Sequence, residues 1–165
     1  MSKLLHKRNW KVDNEYETPP EIWDEILPFL PKDKVCWMPF YCTGFSGDYL
    51  AKKGIKILHR YEDFWIHNRG DYVCDNPPYM LPEMTRAKKK IMERLKFLNK
   101  PFMLLLPSST IQTVYFKELF DEHIQLIIPS RQYQFFKDGI LTHNCPFYTL
   151  WVCWRMNFEK DLTIL

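Results

Sequence analysis

Short apolar runs separated by polar stretches recur along the chain, and their length is typical of buried β-strands. Most of them are rich in branched or aromatic residues, which favour a pleated and largely buried environment. We predict strands at residues 34–38 (KVCWM), 55–59 (IKILH), 71–75 (DYVCD), 102–106 (FMLLL), 124–128 (IQLII) and 146–155 (PFYTLWVCWR).

Helical patterns lie between several of these strands. The stretch 82–98 repeats apolar residues at helical spacing, which predicts an amphipathic helix. Shorter helices are predicted at 48–54 (DYLAKKG) and at 109–120, the latter capped by Ser108 or Ser109. The alternation of strands and helices predicts an α/β fold, with a mostly parallel sheet covered by helices on both faces. The last two strands have no helix between them, which predicts an antiparallel edge strand.

Three unusual segments each follow a predicted strand directly. They are the glycine-containing turn 39–47 (PFYCTGFSG), the loop 59–65 and the corner 75–79. Because parallel sheets bind ligands at the carboxyl ends of their strands, we expect the three segments to converge on one crevice.

The composition is typical of one folded domain. The chain has 165 residues, 46% apolar and 26% charged, so residues 1–165 are predicted to form a single minimal domain. The amino terminus lacks a signal-peptide core and no apolar run reaches the roughly 20 residues of a membrane span, so a cytoplasmic location is expected. The five cysteines lack paired spacing and are expected to be reduced core thiols rather than disulfides or zinc ligands. No metal site is predicted.

Positive charge is concentrated in two places, although the formal net charge is only +3. Such clusters suit either phosphate contacts or a solvated helix face, and the sequence leaves both open. The two clusters contain Lys3, His6, Lys7, Arg8 and Lys11, and then Arg86, Lys88, Lys89 and Lys90.

The third predicted strand ends in an amide, two prolines and an aromatic ring, Asn76-Pro77-Pro78-Tyr79. Neither proline has an N–H group and each biases the preceding residue toward extended geometry, so the chain forms a stiff corner. A strand-ending turn with Tyr79 packed on the core explains a bare Pro-Pro pair. A match to all four residues occurs by accident in about 1 in 1000 chains of this size, which favours a chemical role.

This corner resembles the catalytic motif of S-adenosylmethionine-dependent amino methyltransferases, most of all the adenine-N6 DNA methyltransferases. Three other segments occur in the order of that family: 16–23 (YETPPEIW) resembles its Thr-Pro motif, 39–47 its Pro-Phe and glycine turn, and 62–64 (EDF) its acidic loop. The resemblance spans nearly the whole chain. It implies a Rossmann-like class I methyltransferase fold, abbreviated because the segment between the second and third strands is short.

The resemblance implies a catalytic role for each residue of the corner. The side-chain oxygen of Asn76 and the carbonyl of Pro77 would accept the hydrogens of the adenine amino group and direct its lone pair at the methyl sulfonium. Pro78 would stiffen that carbonyl, and Tyr79 would stack on the flipped base. The transfer is an in-line displacement governed by orientation and requires neither a metal nor a covalent enzyme intermediate.

The cofactor that the resemblance implies is S-adenosyl-L-methionine. Thr18 also suits a helix-capping box with Glu21, which is compatible with a binding role, and Glu62 and Asp63 also suit a solvated loop. Met38 and Cys42 stand where an acidic residue and a glycine are common in the family, which weakens the match at the cofactor. By position in the motifs, the cofactor residues are expected to be Thr18, Pro19, Phe40, Tyr41, Gly44, Asp63, Phe64 and Asn76.

The motif specifies a planar nitrogen and leaves the polymer open. Adenine in DNA is the first expectation and adenine in RNA the alternative, while an inactive methyltransferase-fold binding subunit is the alternative from a different class. No separate target-recognition domain fits in this length, so specificity would be loose, would come from the loop 131–144, or would require a second chain in a homodimer or a second protein subunit. Nucleic-acid contacts are expected from Lys7, Arg8, Arg86, Lys88, Lys89 and Arg131.

Overall fold

The computed structural model describes residues 16–81, 84–120, 122–143 and 145–165, so Lys7 and Arg8 lie outside the described residues. Within these ranges the α-helices are Pro20–Ile26 (α1), Phe45–Lys52 (α2), Ala87–Phe97 (α3) and Val114–Leu119 (α4), with 3-10 helices at Leu27–Phe29 and Ser108–Gln112. The strands are Tyr16–Glu17 (β1), Val35–Trp37 (β2), Lys56–Leu58 (β3), Tyr72–Asp75 (β4), Phe102–Pro107 (β5), Ile124–Ile128 (β6), Phe136–Lys137 (β7), Ile140–Leu141 (β8), Thr149–Trp154 (β9) and Leu162–Ile164 (β10).

Seven of these strands form one sheet in the order β10-β6-β9-β5-β4-β2-β3. β9 runs antiparallel to both β5 and β6. The other neighbouring strands are parallel, which confirms the predicted α/β fold with a mostly parallel sheet. The predicted position of the antiparallel strand at an edge is wrong. β9 lies inside the sheet because it sits between β5 and β6, and β3 and β10 form the edges.

Helices cover both faces of the sheet, as predicted. One core contains Trp23 of α1 and Leu50 of α2, and the other contains Ile91 of α3 and Phe116 of α4. The side chains of β5 alternate between these two cores, and every residue from Phe102 to Leu106 is buried. Burial on both faces explains why this strand is apolar at each position rather than at every second one.

Several helix boundaries differ from the predictions. α3 begins at Ala87 rather than near residue 82. The predicted helix 109–120 is divided into a 3-10 helix and α4, which is capped by Thr113 because its Oγ1 accepts a hydrogen bond from the Phe116 N–H at 3.3 Å. The predicted serine cap is therefore wrong. Throughout the described ranges, no helix has both the length and the apolar character needed to cross a membrane.

A small second sheet organises the segment that was predicted to be a long loop. β7 pairs with β8 and with β1, both antiparallel, so residues 136–141 form a hairpin beside Tyr16–Glu17. Tyr133 and Phe135 are buried in the core at its base, and the Tyr133 hydroxyl donates to the Glu25 carboxylate at 2.5 Å. The hairpin is thereby anchored to α1 and to β1.

All five cysteines fall within the described ranges, and none of them forms a disulfide. The prediction of buried core thiols is confirmed at four positions and wrong at Cys42, which is exposed. The buried four are Cys36, Cys74, Cys145 and Cys153.

Candidate active site

A small cavity lies where β2 and β4 end, at the carboxyl edge of the parallel strands. Its walls come from three segments and one residue of α2: Tyr16 to Thr18, the turn Phe40 to Thr43, the pair Asp75 and Asn76, and Ser46. The turn 39–47 and the corner 75–79 therefore converge as predicted. The residues that line the cavity include four of the predicted cofactor residues: Thr18, Phe40, Tyr41 and Asn76.

Asn76 uses its polar atoms unequally. Its Nδ2 donates a hydrogen bond to Thr18 Oγ1 at 3.1 Å, whereas its Oδ1 is buried and accepts no hydrogen bond from any described residue. A buried acceptor without a donor costs about 1–3 kcal/mol, so this oxygen is suited to a donor supplied by a ligand. Thr18 makes no side-chain cap on α1, whose N-cap is Pro19, so the predicted capping box is wrong.

Tyr79 is half-buried and packed at the end of the corner, after the buried Pro77 and Pro78. Its hydroxyl donates to the Leu105 carbonyl at 3.1 Å, and burial raises the pKa of Tyr79, so the hydroxyl stays protonated. The ring meets Phe147 edge-on, with 5.4 Å between centroids. The hydroxyl and the contact with Phe147 hold the ring in place, and Lys88 Nζ lies over the ring, 5.9 Å from its centroid.

The turn after β2 depends on one glycine. Gly44 has φ +89°, and its N–H donates to the Tyr41 carbonyl at 2.8 Å. A Cβ at this position would lie 2.7 Å from the Tyr41 hydroxyl oxygen. Cys42 is exposed and also has a positive φ of 48°. Thr43 donates its hydroxyl hydrogen to the Glu17 carboxylate, which joins the turn to β1.

Asp75 provides a carboxylate that was not predicted to belong to the site. Met38, which replaces the acidic residue expected before Pro-Phe, is completely buried in the core. Asp75 is 3% exposed, and its Oδ2 accepts the Phe40 N–H at 2.8 Å. Burial raises the pKa of Asp75 to about 7. The available signal in the sequence was a carboxylate at the end of an otherwise apolar strand, directly before Asn76.

The acidic loop does not join this cavity. Asp63 Oδ1 accepts the Trp65 N–H at 2.8 Å within a turn, and Phe64 is buried against Phe40 with ring centroids 5.2 Å apart. The roles predicted for Asp63 and Phe64 stay predictions. The loop 59–65 contributes no residue to the lining of this cavity, but it packs against the turn 39–47, because the His59 and Tyr61 rings contact Tyr41. The loop instead borders a second cavity of about 230 Å³ lined by Trp37, Leu58, Arg60, Glu62 and Arg69.

The predicted nucleic-acid residues within the described ranges lie after β4 or β6, on the carboxyl side of the sheet. Arg86 is exposed directly before α3. Lys88 Nζ lies 3.5 Å from the Tyr79 carbonyl oxygen and 5.9 Å from its ring centroid, and burial lowers the pKa of Lys88. Lys89 pairs with Glu93 at 3.6 Å, and Arg131 pairs with Glu25 at 3.0 Å.

Comparison of the chain with protein-family models, with curated proteins and with solved structures returned no match. Among the described residues, no group of three or more histidine, cysteine, aspartate or glutamate side chains could hold a metal ion. The functional assignment therefore depends on the chemistry of the cavity and its surroundings.

Proposed function

We propose that this chain is an S-adenosylmethionine-dependent methyltransferase that acts on the N6 amino group of adenine in DNA. The observation that carries the proposal is the buried, unsatisfied Oδ1 of Asn76 at the carboxyl end of β4. The mostly parallel sheet is compatible with the Rossmann-like class I methyltransferase fold that the resemblance implies. The position of the corner agrees with the rule that ligands bind beyond the carboxyl ends of parallel strands.

The corner provides acceptors for an amino group that is a weak nucleophile. Asn76 Oδ1 accepts one hydrogen of that group, and the Pro77 carbonyl, whose direction Pro78 restricts, accepts the other. Two fixed acceptors orient the nitrogen and favour the geometry in which its lone pair is available. The contribution of these residues is therefore orientation, which accounts for a large share of the barrier in displacement reactions.

The cavity wall has the chemistry that a sulfonium cofactor requires. Tyr16, Phe40 and Tyr41 contribute aromatic rings, and Glu17 contributes a carboxylate. Aromatic faces and carboxylates attract cations, and S-adenosylmethionine supplies an activated methyl group on a positively charged sulfur when it is bound. The cavity volume is only about 20 Å³, so the cavity must enlarge to admit the cofactor.

The charge around the corner favours a nucleic-acid substrate, and the resemblance of the Thr-Pro start to the DNA enzymes favours DNA over RNA. Arg86 directly precedes α3 and Lys88, Lys89 and Lys90 lie in its first turn, and no acidic residue is present in that turn. Cations at the amino end of a helix oppose its dipole and destabilise the helix. Contact with phosphates therefore explains their placement better than a contribution to helix stability does. The Tyr79 ring would recover part of the stacking that a flipped adenine loses.

The second candidate is an inactive subunit with the same fold that binds a partner or nucleic acid. Two observations favour it: the buried Met38 in place of an acidic residue, and the small volume of the cavity. The two candidates differ in cofactor binding, because an inactive subunit with a closed cavity has no affinity for S-adenosylmethionine.

The deciding experiment is calorimetric titration with S-adenosylmethionine and its demethylated product, followed by transfer of a labelled methyl group to unmethylated DNA and RNA. Matched oligonucleotides with purine in place of adenine lack the amino group and serve as the control. Micromolar binding and N6-methyladenine in DNA support the proposal. N6-methyladenine in RNA alone reassigns the polymer. Absence of binding favours the inactive subunit.

A further inference from the structure

A single buried carboxylate connects the two halves of the candidate site. Asp75 Oδ2 accepts the N–H of Phe40, in the turn after β2, at 2.8 Å. Asp75 Oδ1 accepts the N–H of Asn76, at the start of the corner, also at 2.8 Å. The turn and the corner are far apart in the chain and come from different strands. Each of them is held by one oxygen of the same side chain.

Packing alone does not explain a carboxylate at this position. Asp75 forms no ion pair with any described residue, and its titratable neighbours include the Cys36 and Cys74 thiols of β2 and β4. Burial raises the pKa of both thiols, so they are neutral. Glu17 lies on the β1 wall of the same cavity and has the same sign of charge. A buried charge is unfavourable unless hydrogen bonds compensate it, and apolar residues fill such positions at lower cost.

We infer that Asp75 is a positioning residue for methyl transfer, an inference that rests on the proposed function. Its carboxylate fixes the spacing between the turn that would hold the cofactor and the amide that would hold the substrate amino group. It also supplies a carboxylate to the Pro-Phe turn, where Met38 does not. Two hydrogen bonds to one side chain define this spacing more closely than packing does, and they are strongest above the Asp75 pKa of about 7, where the acceptor is ionised.

The test is Asp75→Asn, which keeps the shape of the side chain. The amide has one acceptor oxygen, and its nitrogen cannot accept the second N–H, so one of the two hydrogen bonds is lost. Hydrogen bonds to charged groups contribute about 1.5–3 kcal/mol, which corresponds to roughly 10–100-fold in an equilibrium or a rate. We expect the dissociation constant for S-adenosylmethionine to rise about tenfold and kcat to fall by at least about tenfold.

Asp71→Asn is the matched control. Asp71 Oδ2 accepts the Val35 N–H at 2.7 Å, so it forms the same type of bond between the same two neighbouring strands. Asp71 precedes β4, at the opposite end of the strand from the cavity, and it is exposed. Its substitution is expected to leave cofactor affinity and kcat within about twofold of wild type, because surface hydrogen bonds remote from a site rarely affect it.

Nuclear magnetic resonance of the backbone amides gives a readout that does not depend on activity. In Asp75→Asn we expect the proton shift of Phe40 or Asn76 to move upfield, while that of Val35 stays constant. If the wild type binds cofactor and transfers methyl groups but Asp75→Asn matches it in both, this inference alone is overturned. Equal losses in the two variants, in proportion to stability, also overturn it. A wild type that binds no cofactor overturns the proposed function first.

Discussion

At the scale of single residues, Asn76 divides its polar atoms between the protein and the cavity. Nδ2 is committed to Thr18, while Oδ1 accepts nothing from the described residues. Only the second atom is available to a substrate, and an oxygen can accept a hydrogen from an amino group. The proposed acceptor role therefore belongs to Oδ1, and Thr18 acts as the residue that orients the amide.

Asn76→Ala is expected to affect turnover much more than cofactor affinity. Removing a group that interacts mainly in the transition state lowers kcat, by about 100-fold or more for comparable stabilising groups, and leaves ground-state binding nearly constant. Single-turnover methylation rates and calorimetric titration of S-adenosylmethionine measure the two effects. Asn68→Ala, at an exposed position after β3, is the control. Wild-type turnover in Asn76→Ala would contradict the acceptor role.

Substitutions of Tyr79 separate its hydroxyl from its ring. Tyr79→Phe removes the hydrogen bond to the Leu105 carbonyl and is expected to lower the free energy of unfolding by about 1 kcal/mol while largely preserving kcat/KM. Tyr79→Ala also removes the stacking surface, which contributes about 1–3 kcal/mol per base. We therefore expect kcat/KM to fall at least about fivefold for Tyr79→Ala. The assay uses DNA at a temperature below the unfolding transitions of both variants. Equal losses in the two variants would argue against a stacking role.

At the scale of elements, the sequence predicted the parts whose structure depends on burial. β4, β5 and β6 begin and end within one residue of the predicted runs. In β5 the cause is burial on both faces, which requires a continuous apolar run, whereas β6 alternates between buried and half-buried positions. The helix at 109–120 was predicted less well. Its cap is Thr113 rather than a serine, although serine is the more favoured of the two at N-caps. The choice between them depends on where β5 ends.

In the candidate site, too, local sequence predicted some residues, whereas others depend on the folded chain. Local motifs identified Thr18, Phe40, Tyr41 and Asn76, and the fold brings these residues to one cavity. Asp75 was not identified, because its role depends on which backbone N–H groups lie opposite it in the folded chain. The two-residue strands β1, β7 and β8 are too short for any periodicity, so the wall that β1 contributes was also not predictable from pattern.

One glycine before α2 and one after it allow the effect of backbone strain to be separated from the effect of a side-chain contact. Gly44 and Gly54 both have positive φ, +89° and +86°, but only a Cβ at Gly44 would contact another residue, Tyr41. Alanine at either position is expected to lower the free energy of unfolding by about 1–2 kcal/mol, the cost of a left-handed backbone.

Only Gly44→Ala is expected to weaken cofactor binding as well, because it displaces the Tyr41 ring that lines the cavity. Denaturant unfolding measures the first effect and calorimetric titration the second. If Gly54→Ala weakened binding as much as Gly44→Ala, general destabilisation rather than the shape of the turn would be responsible.

At the scale of the whole molecule, the polarity of the sheet determines which side could meet DNA. Six of the seven strands point in one direction. The turn after β2, the corner after β4 and the start of α3 therefore all lie on the side of the sheet where these strands end. Exposed lysines also occur on the opposite side, at the amino ends of the strands, where Lys32 and Lys34 precede β2. The net charge of +3 alone does not show which of these two sides of the sheet would bind DNA.

Two double variants with the same change in net charge show which of the two sides binds DNA. Arg86→Ala/Lys90→Ala removes exposed charges beside the corner, and Lys32→Ala/Lys34→Ala removes two at the amino ends of the strands. Each phosphate contact contributes about 0.9 to the slope of log K against log salt concentration, so the first variant should flatten that slope by about 1.8. The second variant should leave the slope unchanged. Fluorescence anisotropy with an unmethylated duplex over a series of salt concentrations measures both slopes, and equal flattening would show that DNA is attracted without regard to the candidate active site.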